Sequence, residues 1–268
     1  MTRLAVIAGR GVLPATLVAS LQHRPLVAAL EGFAPQGVIP DMTFRVERLI
    51  PFLDHLTDLG ITAVTFAGAV QRPRLDPALF DPATAQIVPR LTEAMRGGDD
   101  ATLRVVLALF EEAGFSVQGV RDIAPDLVPG PGVLAAELAA MDEADANRAE
   151  AIVAALGAVD VGQGAVVQQG LCLGVEVLSG TDALLATVRD LPAALRPDPA
   201  RGRGVFYKAP KPGQDLRIDL PTLGPATVIA VAEAGLGGLV RQAGGVICLD
   251  LATMQAEAAA RGLFLWAR

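Results

Sequence analysis

Short apolar runs alternate with amphipathic stretches through the first half of the chain. The apolar runs predict buried strands at 4–8, 25–30, 61–67 and 115–120. The amphipathic stretches predict helices at 15–21, 46–59, 83–96 and 99–113. Strands that alternate with helices are typical of α/β domains, so this half is predicted to be Rossmann-like, with a mostly parallel sheet.

The second half of the chain predicts a mixed α/β domain. Its strands are predicted as a hairpin at 164–178, turning at Gln169 and Gly170, and as single strands at 205–208, 216–220, 246–251 and 263–266. Its helices are predicted at 142–156, 183–190, 225–234 and 252–261.

A Pro- and Gly-rich segment separates the two halves. Residues 124–132 read APDLVPGPG, with three prolines and two glycines, a composition typical of a linker. The chain is therefore predicted to have an N-terminal domain at 1–123, a linker at 124–134 and a C-terminal domain at 135–268.

Composition argues against several classes of protein. Of the 268 residues, 52% are apolar, as in globular chains, and a net charge of −7 argues against a general nucleic-acid binder. Cys172 and Cys248 lie in separate apolar runs and are predicted to be buried thiols, so no structural zinc site is expected. The first apolar run is too short for a signal sequence, and no run is long enough to span a membrane. The expected location is the cytoplasm.

The first predicted strand ends in the glycine-rich turn of IAGRGVLP. Such a turn directs backbone N–H groups at a helix N-terminus towards an anion. Gly9 and Gly11 match the first two positions of the dinucleotide pattern GxGxxG, but Pro14 replaces the third glycine. Glu31, twenty residues after Gly11, lies where a ribose-binding carboxylate would be expected. A dinucleotide site, another anion site and a plain turn all stay open.

A second loop of the N-terminal half has the same layout. In FAGAVQRP, at 66–73, a strand end is followed by small residues and then by polar ones. The carboxyl ends of strands in an open α/β sheet form the ligand crevice. Gly11 and Gly68 are therefore predicted to line one crevice, with simple loop chemistry as the alternative.

Three further stretches place polar residues where elements begin. Asp99 and Asp100 lie at a helix start, where they can cap the helix or hold a divalent cation. Gln163 lies between two glycines before a strand, where it can bind a base or sugar or fill a turn. Thr181 and Asp182 lie at a helix N-terminus, a pattern typical of both a cap and a phosphate site.

Lys208 and Lys211 are the only lysines in the chain, and both lie in FYKAPKPGQDLRIDLPTLG. Lysine is a compact, mobile charge suited to a phosphate. The alternation in DLRIDL predicts a strand with Asp215, Arg217 and Asp219 on one face. This cluster favours a phosphorylated ligand, held by the lysines, with Asp219 binding a metal or activating water. A surface ladder of ion pairs is the alternative.

Together these motifs make the chain resemble the LpxI-type UDP-2,3-diacylglucosamine pyrophosphatases. The motifs, in order, are IAGRGVLP, FAGAVQRP, GDDATLR, DVGQGAVV, SGTDALL, KAPKP and RIDLPTLG. The resemblance covers nearly the whole chain, and KAPKP followed by DLPT is its most specific part. It implies hydrolysis of UDP-2,3-diacylglucosamine to 2,3-diacylglucosamine 1-phosphate (lipid X) and UMP in lipid A synthesis. It also implies a divalent cation, Mg²⁺ or another such as Mn²⁺, and two domains that enclose the ligand.

The resemblance also implies which residues act. The family's essential aspartate falls on Asp219, the main candidate metal ligand, and Asp99 and Asp100 are secondary metal candidates. Lys208 is assigned with Asp219 to catalysis in the C-terminal domain. The substrate-binding positions fall on Gly11, Val12, Ala69, Val70, Gln163, Thr181, Asp182 and Lys208, to which the lysine cluster adds Lys211. Two positions depart from the family: Ala69 often corresponds to Asn and Arg10 to Gly.

The implied substrate is a lipid-linked nucleotide sugar. Transient contact with the cytoplasmic face of the inner membrane is therefore expected, without a nucleic-acid partner and with a homodimer left open. Two alternatives remain, an NAD(P)-dependent dehydrogenase and a non-catalytic nucleotide-sugar binding protein. The first leaves the cluster from Lys208 to Asp219 unexplained. A cofactor titration and a product assay distinguish these alternatives from a pyrophosphatase.

Overall fold

The computed structural model describes residues 2–71 and 74–268, with Asp99 described by its backbone alone. Contacts within the chain divide it into two compact units. Unit 1 comprises Met1–Pro125 and Asp215–Asp219, and unit 2 comprises Asp126–Gln214 and Leu220–Arg268. Each unit combines strands and helices, which confirms the predicted two-domain α/β fold.

Unit 1 contains a parallel sheet, which confirms its predicted Rossmann-like character. The strands found among its described residues are β1 (Leu4–Ala8), β2 (Leu26–Leu30), β3 (Met42–Phe44), β4 (Ala63–Ala67) and β5 (Ser116–Val117). Its α-helices are α1 (Leu13–Ser20), α2 (Leu49–Asp58), α3 (Pro82–Arg96), α4 (Asp99–Glu112) and α5 (Val120–Ile123). The strand order is β3-β2-β1-β4-β5, with every neighbouring pair parallel.

The strand order predicts where unit 1 would bind a ligand. Strands β2 and β4 lie on opposite sides of β1, so the chain changes direction across the sheet at β1. In open α/β sheets, ligands bind outside the carboxyl ends of the strands at such a switch point. The loops that follow β1 and β4 therefore border the expected crevice.

Unit 2 contains a mixed sheet, which has six strands among the described residues. Its described strands are β6 (Gly132–Leu134), β7 (Gly164–Gln168), β8 (Leu171–Val175), β9 (Val205–Lys208), β11 (Gly238–Arg241) and β13 (Phe264–Ala267). Strands β10 (Thr222–Leu223) and β12 (Ile247–Cys248) form a separate parallel pair. Its α-helices are α6 (Ala140–Gly157), α7 (Gly180–Arg189), α8 (Pro225–Glu233) and α9 (Leu251–Ala260). The strand order of the sheet is β6-β13-β11-β9-β7-β8, in which β9, β11 and β13 are parallel and β7 runs antiparallel to β9.

Single-turn 3₁₀ helices supplement the α-helices in both units. They are found at Val46–Arg48, Pro77–Leu79, Pro125–Leu127, Ala193–Leu195 and Pro199–Arg201. Within residues 2–71 and 74–268, no helix combines the length and apolar character needed to cross a bilayer.

Alternating side chains bury both faces of the larger sheet in unit 2. Val166 and Phe206 pack on one face with apolar residues of α7, α8 and α9. Their neighbours Val167 and Tyr207 point to the other face and pack against α6. Because successive side chains of a strand point to opposite faces, a continuous apolar run is what a strand covered on both sides requires.

The structure corrects the predicted strand at 216–220. Residues 216–218 form turns, in which the N–H of Ile218 donates to the carbonyl of Asp215 over 3.3 Å. The Asp215 carboxylate accepts the backbone N–H of Arg217 at 3.0 Å, the local bond of an Asx-turn. This bond gives the backbone an alternative to strand pairing. Asp215, Arg217 and Asp219 therefore do not share a strand face, contrary to the prediction.

Several smaller predictions are also corrected. Cys172 is exposed, whereas Cys248 is buried as predicted. Gly132–Leu134, the end of the predicted linker, is strand β6, paired with β13. Strand β11 was not predicted because Gly238 interrupts its apolar run. A Cβ at Gly238 would lie 2.4 Å from the Phe264 ring, so glycine is required by packing there.

Candidate functional site

The two glycine-rich loops of unit 1 are joined by a pair of hydrogen bonds. The N–H of Arg10 donates to the carbonyl of Ala69, and the N–H of Ala69 donates to the carbonyl of Arg10, each over 2.9 Å. Arg10 follows β1, and Ala69 follows β4. The prediction that the two loops lie together at the carboxyl ends of their strands is therefore confirmed.

Close backbone approach explains the glycines of these loops. A Cβ at Gly9 would lie 2.6 Å from the Ala69 carbonyl oxygen, and one at Gly68 would lie 2.6 Å from that of Gly9. Gly68 also has a φ of +95°, which side-chain-bearing residues rarely adopt. A Cβ at Gly11 would meet nothing within 4 Å, so this loop is open on its outer side.

The predicted binding residues of unit 1 border this open side. Val12 and Val70 are half exposed, and Val12 immediately precedes helix α1, whose first backbone N–H groups can bind an anion. Their binding of substrate stays a prediction, as does that of Gly11 and Ala69. Arg72 and Pro73, which end the FAGAVQRP motif, lie outside the described residues.

Neighbouring charged residues are already engaged within unit 1. The Glu31 carboxylate, considered above as a ribose ligand, accepts a hydrogen bond from Arg45 Nη1 at 2.6 Å. Arg10 donates to the Gly32 carbonyl at 2.8 Å and lies over the Phe33 ring. The side chain of Arg10, where the family often has glycine, is therefore held against the loop that follows β2.

Helix α4 begins at Asp99, as predicted, but its cap differs from the prediction. The N-cap is Gly98, which has no side chain, and Asp100 forms an ion pair with Arg104 at 2.8 Å one turn later. The Asp99 side chain lies outside the described part of the structure. A metal role for either aspartate stays a prediction.

Unit 2 holds a buried group of charged and polar side chains around Lys208. This residue ends β9 and is only 4% exposed. Its ammonium forms an ion pair with the Glu176 carboxylate and donates to the Thr181 hydroxyl at 2.9 Å. The Thr181 hydroxyl in turn donates to Glu176 Oε2 at 2.8 Å. The structure thus brings together two predicted residues, Lys208 and Thr181, through a third that was not predicted.

The missed residue, Glu176, had a signal in the hairpin register. Val175 pairs with Ala165, so Glu176 lies opposite Gly164, and its N–H donates to the Gly164 carbonyl at 2.8 Å. Gly164 in turn pairs with Lys208 on the other side of β7. A carboxylate directly after an apolar strand, opposite the GQG turn, could have been assigned to the same edge of the sheet as Lys208.

Gln163 and Lys211 belong to a second polar cluster in unit 2. Gln163 Nε2 donates to Gln214 Oε1 at 2.9 Å, and the backbone N–H of Lys211 donates to the same oxygen at 2.9 Å. The Lys211 ammonium forms an ion pair with Asp160. The backbone also links the two clusters, because the N–H of Ala209 donates to the Gln163 carbonyl at 3.0 Å.

Helix α7 begins three residues earlier than predicted, and its expected cap is absent. The N-cap is Ser179, which makes no capping hydrogen bond with its side chain. Thr181 uses its hydroxyl for Glu176 instead, and Asp182 is exposed in the first turn. Neither Thr181 nor Asp182 is therefore the helix cap, and the phosphate-site interpretation stays open.

The segment that carries Asp219 belongs to unit 1, although its sequence position had assigned it to the C-terminal domain. Ile218 packs against the hydrophobic core of unit 1, and Arg217 Nη1 donates to Glu111 Oε1 at 2.7 Å. Arg217 also donates to both Asp215 oxygens, which holds the pKa of the Asp215 carboxyl below its usual value. Asp219 is half-buried at the end of this anchored segment.

The donor chemistry determines which kind of metal site these residues fit. Among the described residues, no three His, Cys, Asp or Glu side chains are grouped closely enough to form a metal cage. The carboxylate of this segment on which the family's essential aspartate falls is Asp219, whereas Asp215 forms an ion pair with Arg217. Mg²⁺ is usually bound through one or two carboxylates together with substrate phosphates and water. The residues therefore fit a cation held jointly by protein and substrate.

Comparisons with known proteins agree across both units. Residues 3–127 match the model of the LpxI N-terminal domain, and residues 130–266 match that of the LpxI C-terminal domain. The chain is 38% identical over 271 aligned positions to the UDP-2,3-diacylglucosamine pyrophosphatase LpxI of Caulobacter vibrioides. The alignment covers 99% of this chain and 97% of that protein.

Proposed function

Because this chain belongs to the LpxI family, we propose that it hydrolyses the pyrophosphate bond of UDP-2,3-diacylglucosamine to release lipid X and UMP for lipid A synthesis. The observation that carries the proposal is the 38% identity, over 99% of the chain, to an enzyme named for this substrate. The buried ammonium of Lys208, held among hydrogen-bonding groups, supports a phosphate site in unit 2.

Catalysis of this reaction depends mainly on positioning the substrate and the water and on stabilising the negative charge of the transition state. The protein itself forms few covalent bonds in phosphoryl transfer. Lys208 and Lys211 supply positive charge for the phosphate oxygens. The N–H groups at the start of α1 supply further donors, and Gln163 and Thr181 supply polar groups for the nucleotide or sugar. Lys208, Gln163 and Thr181 are assigned from the family positions, whereas Lys211 is assigned from the lysine cluster and the α1 donors from the helix N-terminus.

We propose that water attacks the β-phosphorus. The bond from that phosphorus to the bridging oxygen breaks, UMP leaves with the bridging oxygen, and the oxygen of water stays on lipid X. Asp219 either orients and deprotonates the attacking water or binds a cation, and both roles require its carboxylate. In the first case the proton goes to the Asp219 carboxylate.

The cation that we propose is Mg²⁺, with Mn²⁺ as an alternative, and Asp219 is the residue of this chain that would hold it together with the substrate. When bound, it would stabilise negative charge on the phosphoryl oxygens. This arrangement agrees with the family position of Asp219 and needs no cage of protein ligands.

A product assay tests this function. Wild-type protein with UDP-2,3-diacylglucosamine and Mg²⁺ is expected to release UMP and lipid X in equal amounts, and a chelator should stop the reaction until Mg²⁺ is restored. In ¹⁸O-labelled water, the label should enter lipid X and not UMP, because the β-phosphorus is attacked. Chromatography with mass spectrometry measures both products.

The same assay has outcomes that would reject the proposal. Binding without release of UMP would favour a nucleotide-sugar binding protein, and tight binding of NADH or NADPH would favour a dehydrogenase. If the ¹⁸O label enters UMP, the water attacks the α-phosphorus and not the β-phosphorus. Turnover that persists in excess chelator would show that the reaction does not require a divalent cation.

A lipid substrate also leads us to propose transient contact with the cytoplasmic face of the inner membrane. Leu178 is 99% exposed and Val177 is about half exposed, and both lie between Glu176 and Thr181 of the buried group in unit 2. Exposed apolar side chains beside a site for a lipid-linked ligand can insert into the lipid surface.

Replacing Leu178 by aspartate should weaken binding to vesicles of phosphatidylethanolamine and phosphatidylglycerol by about tenfold, because the apolar contact is lost and a charge is added. Flotation of vesicles measures the bound fraction. Leu195→Asp is the matched control, since Leu195 is also largely exposed in unit 2 and is not adjacent to the buried group. Equal effects of the two variants would contradict a specific role for Leu178.

A further inference from the structure

We infer that Glu176 is a positioning residue for Lys208, and that it sets the direction in which the ammonium meets a substrate phosphate. The inference rests on the proposed function, because it assigns a role within the same phosphate site. Glu176 carries no role among the family positions considered above, and it was not predicted from the sequence.

The first support is a closed triangle of hydrogen bonds. Lys208 Nζ contacts the Glu176 carboxylate and lies 2.9 Å from Thr181 Oγ1, which lies 2.8 Å from Glu176 Oε2. A lysine side chain is long and flexible, with rotatable ammonium donors. Two acceptors on different elements define where this ammonium lies and leave it little freedom to turn.

The second support is that the surrounding backbone makes room for Glu176. A Cβ at Gly164 would lie 2.9 Å from Glu176 Oε2, and one at Gly162 would lie 2.0 Å from the Glu176 carbonyl oxygen. The Glu176 backbone therefore requires glycine at Gly162, and at Gly164 the Glu176 carboxylate shares the available space with the Phe206 ring, which would lie 2.9 Å from the same Cβ. Gln163, a predicted ligand residue, is held between the two glycines.

The third support is burial. Glu176 is 9% exposed and Lys208 is 4% exposed, so the pair is almost removed from solvent. Buried ion pairs contribute little to stability compared with apolar residues of the same size, because both charges must be desolvated. A contribution to stability is therefore a weak reason for a glutamate at this position. Orientation of the Lys208 ammonium towards a phosphate is a direct reason.

The test separates orientation from electrostatic attraction. Glu176→Gln preserves the shape of the side chain and an acceptor for Lys208, but removes the negative charge. We expect kcat to fall about 30-fold, as for other partners that orient a ligand-binding group. KM and the Kd of inorganic pyrophosphate should stay equal or decrease, because the net positive charge beside the anion increases. Glu176→Asp, which restores the charge, should recover part of the lost kcat.

Controls keep the inference falsifiable. Glu257→Gln removes a carboxylate from a surface ion pair in the same unit and should leave kcat unchanged. Lys208→Met should abolish pyrophosphate binding, whereas Glu176→Gln should preserve it. Thermal unfolding shows whether each variant is folded. Unchanged kcat in Glu176→Gln, or pyrophosphate binding lost as in Lys208→Met, would overturn the positioning role.

The two proposals fail in different ways. If wild-type protein releases UMP and Glu176→Gln keeps its kcat, the hydrolytic function stands and the inference alone is overturned. If wild-type protein binds pyrophosphate by calorimetry but releases no UMP, the hydrolytic function is wrong, and the positioning role in turnover is overturned with it. If it binds no pyrophosphate at all, there is no phosphate site for Glu176 to organise, and the inference is overturned.

Discussion

Asp219→Ala should lower kcat by about 1,000-fold, equivalent to about 4 kcal/mol of transition-state stabilisation, and leave the Kd of UMP within about threefold. The Asp219 carboxylate is proposed to act on the attacking water or on a cation at the phosphate. Loss of this carboxylate should therefore affect turnover far more than nucleotide binding. Single-turnover kinetics and calorimetry measure the two quantities.

Asp215→Asn is the matched control for this prediction. Asp215 lies in the same segment, but its carboxylate is bound to the backbone N–H and the guanidinium of Arg217. Its replacement should loosen the segment and lower kcat by no more than about tenfold, which is the lower end of the effect of supporting residues. A comparable loss of kcat in both variants would mean that Asp219 acts through the folding of the segment, and not through its carboxylate.

Gly68→Ala should destabilise unit 1 by about 3 kcal/mol or more, a size reached only through strain or severe overpacking. The added Cβ would lie 2.6 Å from the Gly9 carbonyl oxygen and 2.7 Å from that of Arg10, and both atoms belong to the backbone. Backbone atoms cannot rotate away as the end of a side chain can, so the paired loops must separate. Hydrogen exchange of the β1 and β4 amides measures the loss of protection within this unit.

Gly114→Ala separates the two causes of that loss. Gly114 has a φ of +91°, close to the +95° of Gly68, but a Cβ there would meet nothing within 4 Å. Gly114→Ala should lower the free energy of unfolding by about 1–2 kcal/mol, which is the cost of an alanine in the left-handed region alone. Equal destabilisation by the two substitutions would show that the backbone angle alone, and not the approach of the two loops, requires glycine at Gly68.

Periodicity predicted most of the fold because long elements carry a strong signal. Helices such as Pro82–Arg96 and strands such as Leu4–Ala8 lie where the apolar pattern placed them. The short strands β3 and β10 were missed, because two or three residues contain too little pattern to distinguish a strand from a loop. DLRIDL was misassigned because local bonding by Asp215 overrides an alternating pattern.

The candidate site was predicted where it depended on local order and missed where it depended on long-range pairing. The glycine-rich loops after β1 and β4 could be placed at one crevice, since parallel strands end on the same edge of a sheet. Lys208 could be singled out as one of only two lysines. Its partner Glu176 lies 32 positions away, and the order β8-β7-β9 brings them together.

By itself, the sequence determined the α/β class, the glycine turns and the motifs that indicate the family, because these depend on residues close together along the chain. Only the tertiary structure decided that Asp215–Asp219 packs with unit 1 and that Lys208 is buried against Glu176 and Thr181. Both outcomes depend on which distant elements become neighbours. That choice follows from burial of whole apolar faces and from pairing of buried charges, which no local pattern contains.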